Sequence, residues 1–167
     1  MKKKNNLNST YKKNITVLRE LYPKLADWIE GQPDIAWAQR TPQGGLQTTY
    51  GAQTDCATMA DAEAVIEGTS LHKENVTILI GMGLGHEATW ILQRGERGHQ
   101  VVVVEPTAHI LRFAFAEHDF SRHLRTRALI IAAPGRAEVA HVLGWLESAR
   151  VVEDWQLLCA PYTQRRH

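Results

Sequence analysis

The sequence predicts an α/β fold, a mostly parallel sheet with flanking helices, preceded by a small amino-terminal cap. Three observations carry this. "VTILIG" (76–81), "QVVVVEP" (100–106) and "ALIIAAP" (128–134) are continuous apolar runs rich in β-branched residues, as strands buried on both faces require. Helix-like stretches separate them, which is the rhythm of a parallel sheet joined by crossover helices. Residues 1–70 break that rhythm and read as a helix–hairpin–helix unit packed on the core of residues 71–167, the two forming one folding unit.

The elements follow in order. Residues 9–31 read as helical, because Leu18, Leu21, Leu25, Trp28 and Ile29 make one apolar stripe. Pro23 interrupts it, giving two short helices or one kinked helix, and Gly31 and Pro33 stop it. Two short alternating runs flank "TPQGG" within residues 35–50 and read as a β-hairpin. A helix follows over 55–68, with Asp55 or Thr58 as cap and Gly68 as stop. After the strand 76–81 come a helix at 86–96, the strand 100–106, and a helix at 107–119 with Thr107 at its cap. The strand 128–134, a helix at 136–149 and a fourth strand at 155–161 complete the pattern.

Composition narrows the function classes. In 167 residues, 44% are hydrophobic and 22% charged, which is globular. A net charge of +1 gives no electrostatic argument for nucleic acid or an anionic membrane. No apolar stretch approaches the ~20 residues of a membrane span, and no signal-peptide pattern opens the chain. Cys56 and Cys159 are far apart and lack metal-ligand spacing, so a reduced, cytoplasmic protein is expected. The eight histidines form no close ligand cluster, and no metal site is expected. Ser121 with Asp119 and His118 or His123 has the residue types of a nucleophilic triad but no nucleophile elbow, and reads as a solvated turn. The scattered Trp28, Trp37, Trp90, Trp145 and Trp155 read as core.

One loop carries ligand chemistry. "ILIGMGLGHEATW" (78–90) places Gly81, Gly83 and Gly85 between a buried strand and a helix. At the carboxyl end of a parallel strand such a loop faces the ligand crevice, and the free amides of the next helix favour an anion. His86 opens that helix, where an imidazole can reach a phosphate or carboxylate. Glu105 ends the second strand 20 residues after Gly85, where an acid accepts hydrogen bonds from ribose hydroxyls in Rossmann units. Gly81, Gly83, Gly85, His86 and Glu105 are therefore the candidate binding residues. The loop is not the dinucleotide fingerprint, since His86 stands where a third-spaced glycine would, and no Gly-Lys-Ser/Thr makes it a P-loop. Tight turning and close strand–helix packing would use the same glycines.

"ILIGMGLGHEATWIL" followed by "VVVVEPTAHILRFAFAEHDFSRHL" resembles the amino-terminal domain of the motility accessory factor proteins, bacterial flagellin glycosyltransferases. The matching parts are Gly81 to His86, Glu105–Pro106 and Asp119–Phe120–Ser121, and the likeness covers roughly residues 10–135. "NITVLRELYPKLADWIE" resembles the leading helix, and "LQTTYGAQTDCATMADAEAVIEG" the hairpin strand and helix, without the usual Ser-x-Tyr-[Asp/Asn]-Pro wording. The resemblance implies a Rossmann-like domain whose family performs glycosyl transfer in a separate downstream domain. That domain carries its own Gly-Pro-Ser-type nucleotide motif and is related to a family including a pterin diphosphokinase. No such segment follows within these residues. The expectation is a nucleotide-binding or scaffold module, an isolated domain or a stand-alone relative, with flagellin or a downstream glycosyltransferase domain as partner. Its own ligand would be a nucleotide, a nucleotide-sugar or S-adenosylmethionine, and whether it is an enzyme stays open.

Two rivals differ in class. An S-adenosylmethionine-dependent methyltransferase would use the same Gly-x-Gly-x-Gly loop and Glu105. Against it, Leu79 stands where those enzymes carry an acid, and "APYTQ" (160–164) is only a fragment of their Asn-Pro-Pro-Tyr-like motif. The other rival is a non-catalytic interaction domain with no small ligand.

Overall fold

The structure is a computed structural model and describes residues 9–32, 38–40, 46–48, 59–72, 75–133, 144 and 154–159. Two helices open it, α1 (Ser9–Leu21) and α2 (Pro23–Glu30). Pro23 starts α2, where its missing N–H costs nothing, so the stripe breaks into two helices at Tyr22. Strands β1 (Ala38–Arg40) and β2 (Leu46–Thr48) pair antiparallel, as a hairpin requires. Helix α3 (Met59–Ile66) ends before Gly68, whose φ of +85° suits a helix stop. Its expected caps Asp55 and Thr58 lie outside the described residues.

The second part alternates as predicted: β3 (Asn75–Ile80), α4 (His86–Arg94), β4 (Gln100–Val104), α5 (Ala108–Glu117), α6 (Ser121–Arg125), β5 (Leu129–Ala132) and β6 (Asp154–Cys159). The expected helix 136–149 lies outside the described residues except for position 144, which is helical. Thr107 occupies the N-cap of α5, as expected, and its side chain makes no capping bond. Helix α6 is the element the sequence pattern missed.

Among the described residues the sheet runs β5-β4-β3-β6, all parallel. The chain steps outward from β3 through β4 to β5, then returns to add β6 on the other side of β3. Alternate residues of the strands face opposite layers. Leu79, Val101, Val103, Leu129 and Ile131 join one core with Leu18, Ile29, Ile91, Phe115 and Phe120 from the helices. Val76, Val102 and Ile130 form a smaller cluster on the other face. Fully burying each Leu, Ile or Phe contributes roughly 1.5–3 kcal/mol, so the amino-terminal helices share the sheet's main core. Among the described residues no helix is long and apolar enough to cross a membrane.

A polar network closes the amino-terminal end of the sheet. His99 Nδ1 lies 2.8 Å from the His72 carbonyl, which can only accept, so this nitrogen carries the proton. In the neutral ring Nε2 then accepts from Thr77 Oγ1 at 2.9 Å, and Gln156 Nε2 donates to Thr77 Oγ1 at 2.7 Å. Burial, above all, holds the His99 pKa below its usual value, with a smaller push from His72 and an opposing pull from the His72 carbonyl. The unfolded chain takes up this proton near pH ~6.5 and the folded chain only at lower pH. Stability is therefore full above that range and falls as pH drops toward the folded value. Urea denaturation of His99→Gln across this window is expected to show a shallower slope. The remaining slope has the same sign, because His123 is also pushed down, first by burial and then by Arg122.

Candidate functional site

The sheet's reversal defines where to look. In open α/β sheets ligands bind outside the carboxyl ends of the strands, where the strand order reverses. Here that point lies between β3 and β6, with Ile80 in register beside Cys159. Gly81, Gly83 and Gly85 follow β3 directly, so the predicted loop stands at this point.

The loop's conformation requires its glycines. Gly81, Gly83 and Gly85 have φ of 89°, 53° and 85°, values that side-chain-bearing residues rarely adopt. Between them Met82 and Leu84 are fully buried in the main core. A Cβ on Gly85 would lie 3.0 Å from Phe120 Cζ and 3.3 Å from Ala114 Cβ. The third glycine thus lets the loop close on α5 and the turn after it. Gly85→Ala is expected to cost ~2–4 kcal/mol from backbone strain and overpacking together, read as a lower urea midpoint.

Three amides of the loop donate inward. Gly81 N–H donates to the Val104 carbonyl at 2.8 Å, and Gly85 N–H to the Met82 carbonyl at 2.8 Å. Met82 N–H donates to Glu105 Oε2 at 2.8 Å. The other carboxylate oxygen of Glu105 accepts from Thr107 N–H at 2.9 Å. Glu105 is 0% exposed, and it pins the loop after β3 to the start of α5. Its own N–H donates to the Ala132 carbonyl at 3.1 Å, which extends the tie to β5. Glu87, in the first turn of α4, is equally buried, where the helix dipole favours a negative charge.

His86 is the first residue of α4, as predicted, and its partner is another histidine. Its Nδ1 lies 2.9 Å from His118 Nε2, with the rings edge-to-face at 5.0 Å. His118 stands just after α5, 5.8 Å from the Phe120 ring. The triad residues are not assembled. Ser121 Oγ and N–H both donate to Asp119 Oδ1, at 2.5 and 3.1 Å, which turns the chain from α5 into α6. These bonds, then Lys13 at 3.3 Å, hold the Asp119 pKa below its ordinary value despite partial burial. Among the described residues no group of three or more His, Cys, Asp or Glu can hold a metal ion. Cys56, Trp37, Trp145 and "APYTQ" lie outside the described residues, while Trp28 and Trp90 pack at the edge of the main core.

One residue of this region was not anticipated from sequence. Asn14 of α1 is 0% exposed. Its Nδ2 donates to the carbonyls of Phe115 and His118 at 2.9 and 2.7 Å, and its Oδ1 accepts from Phe120 N–H at 2.7 Å. The amino-terminal helix thereby fixes the turn that carries His118 and backs Gly85.

No family model matches the chain, and no curated protein matches it. In fold it is similar to the MAf glycosyltransferase from Magnetospirillum magneticum AMB-1, with a TM-score of 0.61 at 15% identity. The match covers 91% of this chain and 32% of that one, so the chain spans about a third of the glycosyltransferase's length. A protein-L-isoaspartate O-methyltransferase aligns with a TM-score of 0.39 at 17% identity, over 74% of this chain and 41% of its own. The (4+2)-cyclase SpnF aligns with a TM-score of 0.35 at 16% identity, over 72% and 42%.

Proposed function

We propose that this chain is the amino-terminal scaffold module of a motility-accessory-factor-like glycosyltransferase acting on flagellin in the bacterial cytoplasm. It would position a downstream transferase domain and perform no chemistry itself. The fold likeness to the MAf glycosyltransferase supports this reading, because the matched part is about a third of that protein.

The observation that carries the scaffold role is the inward use of Glu105. An acid that reads a ribose must present its carboxylate to the crevice. Glu105 has no exposed surface, and each of its oxygens already accepts a backbone amide. The amides of Gly81, Met82 and Gly85, which a phosphate-cradling loop would offer to its ligand, donate within the protein. A loop tied at these three amides suits a corner that holds surfaces in place.

A ligand-binding reading has one observation in its favour, the position of the glycine loop at the reversal of strand order. Thermal-shift titration separates the two. S-adenosylmethionine, S-adenosylhomocysteine, nucleoside phosphates and CMP-sugars are each expected to leave the melting temperature unchanged. A ligand at 100 times its dissociation constant would add ~2.7 kcal/mol. Mixed with the transferase domain of a motility-accessory-factor-like protein, the chain is expected to sediment as a complex. Stabilisation by S-adenosylmethionine would move the assignment to the methyltransferase class.

A further inference from the structure

We infer that His86 and His118 form a proton-operated latch on the glycine loop, closed while the two rings together carry at most one added proton and open when both are charged. The inference rests on the geometry of the pair and is independent of the scaffold reading. An N···N separation of 2.9 Å between two imidazoles is a hydrogen bond, and such a bond needs one nitrogen with a proton and one without. A neutral pair satisfies this. So does a pair with one imidazolium, whose charge strengthens the bond. A second added proton sets N–H against N–H, and the contact must open.

The helix ends decide where the first proton goes. His118 is the C-cap residue of the ten-residue helix α5, at the negative end of its dipole. His86 begins α4, at the positive end. The first proton therefore settles on His118, whose Nε2–H then donates to His86 Nδ1, leaving His86 neutral with its proton on Nε2. The second proton must enter at the unfavourable end of α4. The titratable and charged groups next to the pair in sequence, or bonded to those neighbours, are Glu87 on α4, Glu117 and Asp119 on either side of His118, and Lys13 on α1, paired with Asp119; α6 adds Arg122 and His123 in its first turn, and Arg94, His109, Arg112 and Arg125 stand further along α4, α5 and α6. Glu87 and Glu117 adjoin the two histidines in sequence. Asp119 is already engaged by Ser121 and Lys13.

What the latch holds is the loop. His86 follows Gly85 directly, and Gly85 lies against Phe120, two residues after His118. Opening the pair removes one tie between the start of α4 and the turn that backs the glycines, and leaves the packing of Gly85 on Phe120 in place. The contact is thus tightest at mildly acidic pH, between the two proton uptakes, and loosens below.

Nitrogen-15 NMR of the folded chain tests this. Coupling across the hydrogen bond between His86 Nδ1 and His118 Nε2 is expected near neutral pH. The pair should titrate in two separated steps that belong to both rings. Amide exchange at Met82–Gly85, normalised to the intrinsic rate at each pH, should quicken about tenfold once the second step is passed. In His118→Phe that acid-induced rise disappears and His86 titrates once. His86→Gln, which α4 accommodates readily, serves if His118→Phe does not fold, and should leave His118 titrating once. Independent titration of both rings near the ordinary value of ~6.5, untouched by either substitution, overturns the inference. Coupled titration with no change in loop exchange overturns it as well.

Discussion

Glu105→Ala is expected to lower the unfolding free energy by ~3–5 kcal/mol, since two hydrogen bonds to a charged group are lost and two backbone amides are left without their acceptor. The value is net of the relief from no longer burying a carboxylate. Urea denaturation followed by circular dichroism measures it. Glu105→Gln keeps one acceptor but turns the other oxygen into a donor facing a backbone N–H, so it recovers only part of the loss. The two substitutions also bear on function. A corner residue shows its loss in stability, with no ligand affinity to lose. A neutral effect on stability, together with loss of an S-adenosylmethionine-induced shift, would mean that Glu105 serves the crevice and that the scaffold reading is wrong.

The sequence places Glu105 directly after the second strand, where it is found, and leaves the direction of its carboxylate open. Periodicity and β-branching locate β4, and with it the acid that follows Val104. They do not say which way the carboxylate turns. That depends on Met82 and Thr107, whose amides converge on it from two different loops. The glycines were legible for the same reason and ambiguous for the same reason. Positive φ is needed both to approach a ligand and to approach one's own chain, and Gly85 approaches Phe120 and Ala114.

The strands β3, β4 and β5 were legible because both faces are covered and apolar runs have no other stable home. Pro23 signalled a break in the leading helix, and the structure resolves it as two helices. Helix α6 was hidden because "SRHLR" buries one residue, Leu124, and is too short to show a period. The His86–His118 contact spans 32 residues and joins two helix ends that no local pattern relates. Such pairings emerge only once α4 and α5 are laid on the same face of the sheet.

Asn14→Ala carries the other large expected effect, a loss of ~3–5 kcal/mol, because one side chain satisfies both ends of a turn. A helix leaves its last carbonyls without partners. Asn14 Nδ2 reaches the Phe115 carbonyl in the last turn of α5 and that of His118 beyond it. Its Oδ1 takes Phe120 N–H at the entry to α6. The apolar stripe through Leu18 gives no hint of these bonds. Asn14→Asp is the sharper test. It keeps the acceptor for Phe120 but aims a carboxylate at two carbonyls, so it should destabilise at neutral pH. On acidification a protonated carboxyl regains one donor, and the variant should recover part of its stability as the wild type loses some through His99 and His123. Opposite pH slopes for the two proteins would establish that Asn14 acts through its donors. If Asn14→Asp instead tracks the wild type at every pH, the side chain is a space-filler and α1 is held by its apolar face alone.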